Sequence, residues 1–153
     1  MIKLITFAAA HIDLLDLTEE EMARHGMGTD FKSLGDFLEK TSWAAFTCIH
    51  DGRVVGIGGV RAKSEKVAYG WTLPNKYFKQ TGIAGIRLVY RWLDAAQEQQ
   101  FHRIETYNLE TAELHHRWCE MLGFTSEGPM RYYDDQGRTY IRYARIRGGL
   151  HGS

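Results

Sequence analysis

Lys79-Gln80-Thr81-Gly82-Ile83-Ala84-Gly85 runs directly into Ile86-Arg87-Leu88-Val89-Tyr90-Arg91-Trp92-Leu93, and the reading of this junction decides the fold. Ile83, Ile86, Val89, Tyr90, Leu93 and Ala96 recur at helical spacing, so residues Gly82 to Gln100 form the longest periodic segment of the chain. Read alone, the glycines mark a helix start and nothing more. Upstream, Lys66 to Leu73 is rich in strand-forming residues and is stopped by Pro74. The segment is therefore strand, loop, helix.

Downstream, His102 to Leu109 reads as a strand and Ala112 to Leu122 as a helix with Leu114, Trp118 and Leu122 stacked four apart. Gly123 supplies its left-handed cap. Two strands follow, Phe124 to Tyr133 and Arg138 to Ile146, joined by Asp134-Asp135-Gln136-Gly137. Towards the N-terminus, Ile2 to Phe7 alternates as a strand, and Thr18 with Glu21 forms a capping box that opens a helix closed by Gly26 and Gly28. Phe31, Leu34, Phe37 and Leu38 share the face of a second helix. Trp43 to Ile49 and Arg53 to Arg61 pair across an Asp51-Gly52 turn. Gly56, Gly58 and Gly59 within the latter strand predict a bulge or a close backbone approach. The order is β, α, α, β, β, β, α, β, α, β, β.

That order resembles the GNAT fold of the Gcn5-related N-acetyltransferases. The likeness rests on Lys79 to Gly85, similar to the family's acyl-CoA loop, and on Trp118-Cys119-Glu120-Met121-Leu122-Gly123-Phe124, similar to its fourth-helix ending. It covers roughly Val54 to Ile146. Two departures stand out: Lys79 leads the loop where the family has Gln or Arg, and Cys119 stands where a tyrosine is common. The Asn that often opens the last helix falls on Ala112. A weaker resemblance, over Tyr69 to Phe124, is to the short GNAT-like internal virion proteins of podophages, which implies a phage protein.

The resemblance implies a single α/β domain over residues 1–147, with a mixed, mostly antiparallel sheet flanked by helices, its fourth and fifth strands splayed. Acetyl-CoA is the implied cosubstrate. Its pyrophosphate would sit on Lys79, Gln80, Thr81, Gly82, Ile83, Ala84 and Gly85, where small residues let N–H groups at a helix N-terminus approach negative charge. The pantetheine arm would pair with Trp71, Thr72 and Leu73, the Leu73 N–H holding the oxyanion, with Asn108 as a further contact. Glu105 and Tyr69 are the candidate bases, Glu105 sharing a strand face with Tyr107. Cys119 is the candidate proton donor to the departing thiolate, an ordinary thiol having a pKa of about 8.5. For that role Cys119 must project away from the core that receives Trp118 and Leu122. Two functions fit: acetyl transfer to a primary amine, or a non-catalytic GNAT-like virion or host-interaction module.

Composition narrows the rest. The chain has 153 residues, 44% hydrophobic and 25% charged, ordinary for one globular domain. Its 19 basic and 19 acidic residues cancel, which argues against nucleic acid as a partner. Asp13, Asp16, Glu19, Glu20, Glu21, Asp30 and Asp36 make an acidic front that favours a cationic amine acceptor, whether a small molecule or a protein lysine or N-terminus. Arg131, Arg138, Arg142, Arg145 and Arg147 make a basic back. Cys48 and Cys119 stand apart in no metal-binding spacing, and no metal site is expected. No apolar run reaches the ~20 residues of a membrane span. The expected setting is cytoplasm, host cytoplasm or virion for a phage protein, with a homodimer among the assemblies considered and residues 148–153 a flexible tail.

Overall fold

The computed structural model describes residues 1–17 and 31–147. The capping box at Thr18 and the tail from 148 lie outside them. Strands β1 (Ile2–Thr6), β2 (Ala44–His50), β3 (Arg53–Ala62), β4 (Val67–Pro74), β5 (Arg103–Leu109), β6 (Thr125–Met130) and β7 (Tyr140–Ile146) form one seven-stranded sheet in the order β1-β2-β3-β4-β5-β7-β6. Helices α1 (Phe31–Thr41), α2 (Gly82–Gln99) and α3 (Glu113–Met121) accompany it, with short 3-10 turns at Ala9–Leu15 and Phe78–Thr81. The pairings of β1 with β2, β2 with β3, β5 with β7 and β6 with β7 are antiparallel. Strands β4 and β5 are parallel, Val67 to Tyr69 standing against Arg103 to Glu105, as befits two strands joined through a helix. Both strands continue beyond this three-residue ladder.

The chain packs as two compact units, Met1–Arg61 with Trp71–Gly85, and Ala62–Gly70 with the residues from Ile86 onward. In the first, Ile12 and Leu15 of the 3-10 turn are among the most deeply buried side chains, although that segment carries no helical or strand periodicity. Gly58 and Gly59 meet the expectation of close approach: a Cβ on Gly58 would lie 2.7 Å from the Phe46 ring, and one on Gly59 2.6 Å from the Ala44 carbonyl oxygen. The register also shifts at Cys48 and Ile49 opposite this strand, so the bulge is present as well. Helix α1 buries Leu38 and Gly35, whereas Phe37, expected on the inner face, is exposed with the Arg61 guanidinium over its ring.

In the second unit, α2 buries Ile86, Val89, Leu93 and Ala96. Gln97 joins this stripe because its amide donates to the Arg145 carbonyl at 3.0 Å, which satisfies an otherwise costly buried group. Arg145 is buried too; its guanidinium donates to the Leu122 carbonyl and to Asp94 and lies over the Tyr90 ring. The last hairpin is shorter than expected. Asp134 accepts hydrogen bonds from the Gln136 and Arg138 N–H groups, the Arg138 side chain and the Tyr140 hydroxyl, so residues 131–139 form an ordered loop instead of strand.

Candidate functional site

The end of β4, the loop and the first residues of α2, Trp71–Gly85, belong to the first unit, and Asn75 shapes this stretch. Its buried amide donates to the Leu15 and Val54 carbonyls at 2.8 and 3.0 Å, and its oxygen accepts from the Tyr77 N–H. This clamp turns the chain out of β4. The 3-10 turn then delivers Gly82 with φ 60 and ψ −146, a backbone region that residues with a Cβ avoid. A Cβ at Gly82 would meet nothing within 4 Å, so the backbone there faces open space at the start of an 18-residue helix. The first N–H groups of such a helix lack intrahelical acceptors and carry the positive end of its dipole.

The loop residues divide by burial. Lys79, Gln80, Gly82, Ile83 and Ala84 are exposed, while Thr81 and Gly85 pack together inside. The Thr81 hydroxyl donates to the Phe78 carbonyl at 2.7 Å, and a Cβ on Gly85 would lie 2.0 Å from that same oxygen. Gly85 is thus required by packing, a reason the sequence does not disclose. On β4, Thr72 is exposed, Leu73 is buried, and Trp71 is buried with its indole N–H donating to Ser42 at 3.1 Å.

Within the second unit, the structure corrects the expected orientation of α3. Leu114 is exposed and Trp118 is half-buried, stacked on His115, while Cys119 is the buried residue. Ala112, His115, His116, Trp118 and Leu122 are all half-buried around Cys119, so the inner side of the helix includes two histidines that apolar spacing does not count. His116 is satisfied there by the Glu110 carbonyl and the Tyr143 hydroxyl. Burial pushes the Cys119 thiol up to about 11, with the Asn108 amide, 3.1 Å from the sulfur, pulling the other way. Proton transfer from it to a thiolate of ordinary basicity is uphill, not balanced. Asn108, expected at the cofactor, is tied to Cys119 and the His115 carbonyl.

Glu105 does share a face with Tyr107, but it is gripped by Lys63 and by the Arg103 guanidinium at 2.9 Å, and Arg103 also holds Glu127. The hydrogen bond from Lys63 leads the effects that hold the Glu105 carboxyl below its ordinary range. Tyr69 leans on Tyr107 with ring centroids 5.4 Å apart, and Tyr133 and Tyr140 close around the same ring at 5.0 and 5.7 Å. This tyrosine cluster was not anticipated. Its signal was the hairpin, since Tyr133 and Tyr140 flank the Asp134 loop, but only the register brings them to Tyr107.

No protein-family model and no curated protein sequence matches the chain. Solved structures match over nearly its whole length. Ard1 from Thermoplasma volcanium superposes with a TM-score of 0.76 at 15% identity, covering 95% of this chain and 97% of that one. A spermidine N-acetyltransferase SpeG chimera from Vibrio cholerae and hSSAT gives 0.75 at 14% identity with 99% of both chains covered. The chain has the GNAT fold. A further GNAT-fold neighbour, the aminoglycoside acetyltransferase AAC(6')-Ib, was solved in complex with coenzyme A and covers 98% of this chain at a TM-score of 0.72 and 12% identity. At such identities the GNAT likeness concerns architecture, and function has to be argued from this chain's own residues.

Proposed function

We propose that the protein is an N-acetyltransferase that moves an acetyl group from acetyl-CoA to a primary amine. The observation that carries this reading is Gly82, whose glycine-only backbone opens onto free space at the N-terminus of α2 in a GNAT fold. In this reading the exposed Lys79, Gln80, Gly82, Ile83 and Ala84 receive the pyrophosphate, and the Leu73 N–H holds the oxyanion as the amine attacks the thioester. Collapse of the tetrahedral adduct breaks the C–S bond and leaves the thiolate, which takes a proton. Tyr69 is the group proposed to exchange protons, while Cys119, buried with its thiol pushed up, serves as packing and Glu105 anchors the charges around it. Asp13, Asp16 and Asp36 are exposed and favour a cationic acceptor.

A second reading has an observation of its own: Glu105 is paired with two cations and Cys119 is buried, so two of the three acid–base candidates are already engaged. That is what a non-catalytic module, in a virion or against a host partner, would show. Calorimetric titration with acetyl-CoA, followed by a thiol-release screen over amines, separates the two. Binding with turnover supports the enzyme; binding without turnover on any amine class supports the module; no binding overturns the site assignment. Sedimentation of the same sample tests the homodimer.

A further inference from the structure

We propose that Arg142, set among Tyr107, Tyr133 and Tyr140, is a binding site for the carboxylate of a ligand with an aromatic or apolar body. Apart from Arg131, which is exposed on the hairpin, the cationic side chains on β5 and β7 and beside them can be matched one by one. Arg103 and Lys63 meet Glu105 and Glu127, Arg138 meets Asp134, Arg145 meets Asp94, and Arg147 donates to the Gln97 and Glu98 carbonyls. Arg142 is different. Among the described residues its one hydrogen bond goes to the Met130 sulfur at 3.4 Å, a weak acceptor for a half-buried guanidinium. Glu127 and Tyr133 feel its charge, but Glu127 is already gripped by both terminal nitrogens of Arg103.

The register shows what stands beside it. Arg142 lies opposite Tyr107 on β5 and opposite Gly128 on β6, so its side chain and the Tyr107 ring share one sheet face. Gly128 offers no side chain, and a Cβ built there would meet nothing within 4 Å. The β6 side of Arg142 therefore carries no side chain at the paired position, and the tyrosine cluster stands on the same sheet face. Tyr133 and Tyr140 keep neutral phenols, both raised chiefly by burial. A planar five-donor fork with space on one side takes a carboxylate in two parallel hydrogen bonds, and the rings accept an aromatic body edge-to-face. A free aromatic amino acid and the C-terminus of a peptide both carry this chemistry.

That the ligand is the acetyl acceptor rests on the acetyltransferase reading; the carboxylate site does not. Saturation-transfer NMR with the whole protein tests it using L-phenylalanine, L-phenylalaninol, and Gly-Phe with a free or amidated C-terminus. Phenylalanine or free Gly-Phe should bind, the stronger of the two identifying the source, and the partners lacking a carboxylate should bind roughly 10- to 100-fold more weakly. Arg142→Met should lose the difference and Arg142→Lys keep part of it. Equal binding of acid and alcohol, or of acid to the wild type and to Arg142→Met, overturns the proposal, and the first comparison needs no variant to fold. Acetyl-CoA binding is titrated separately, so failure of the enzyme reading is seen on its own.

Discussion

At the residue scale, burial decides what the two cysteines can do. Both thiols are free and buried, and desolvation pushes each up to about 11. A thiol whose folded pKa lies above its unfolded value stabilises the fold below the unfolded pKa of about 8.5, and that contribution is lost as pH rises through 11. Urea unfolding at pH 8 and pH 10.5 should therefore show a loss of stability that shrinks in Cys48→Ala, measured against its own value at pH 8. A thiol reagent at pH 7.5 should leave both residues unmodified in native protein and label both in urea. The same raised thiol bears on catalysis. Removing a working general acid costs roughly 10²- to 10⁴-fold in turnover. If the enzyme reading holds, Cys119→Ala should lose less than about tenfold in kcat; a loss of a hundredfold would return Cys119 to the role its position implies.

At the element scale, the end of β4 depends on one amide. Asn75→Ala leaves the buried Leu15 and Val54 carbonyls without their donor, and each orphaned group costs about 1–3 kcal/mol. Chemical denaturation should record a loss of about 2–4 kcal/mol with an unchanged denaturant slope; a loss below 0.5 kcal/mol would mean that water replaces the amide. Helix α3 teaches a related lesson. Apolar spacing predicted a Leu114, Trp118, Leu122 face, yet Leu114 is exposed, Cys119 is buried, and the half-buried His116 is satisfied by the Glu110 carbonyl and the Tyr143 hydroxyl. Periodicity counts apolar residues and cannot see a polar residue satisfied from another element. The Asp134 loop is the same case in miniature, a side chain replacing ladder bonds that the alternating pattern had assigned to strand.

At the scale of the whole molecule, the GNAT fold makes one demand that the loop can be asked to meet. Gly82→Asp places a side chain and a negative charge where the pyrophosphate is proposed to lie, while Gly82→Ala tests the backbone strain alone. Calorimetry should show acetyl-CoA affinity falling in both and further in the aspartate variant, with the fold retained by circular dichroism. Unchanged affinity in Gly82→Asp would remove the site from this loop. Lys79→Glu should weaken binding as well, and more at low salt than at high, because its exposed charge acts through screened solvent.

The order of the strands and helices among the described residues and the loop that opens α2 were legible because local signals carry them: alternation, a 3.6-residue period, and glycine or proline at the breaks. Tertiary structure alone decided that Gly85 answers to Thr81, that Cys119 turns inward with Asn108 on its sulfur, that Glu105 is held between two cations, and that Tyr69, Tyr107, Tyr133 and Tyr140 converge beside Arg142. Apart from Gly85 and Thr81, neighbours on one turn, each of these joins residues from different elements. Burial, pKa and pairing depend on such neighbours, and a residue's type and spacing do not contain them.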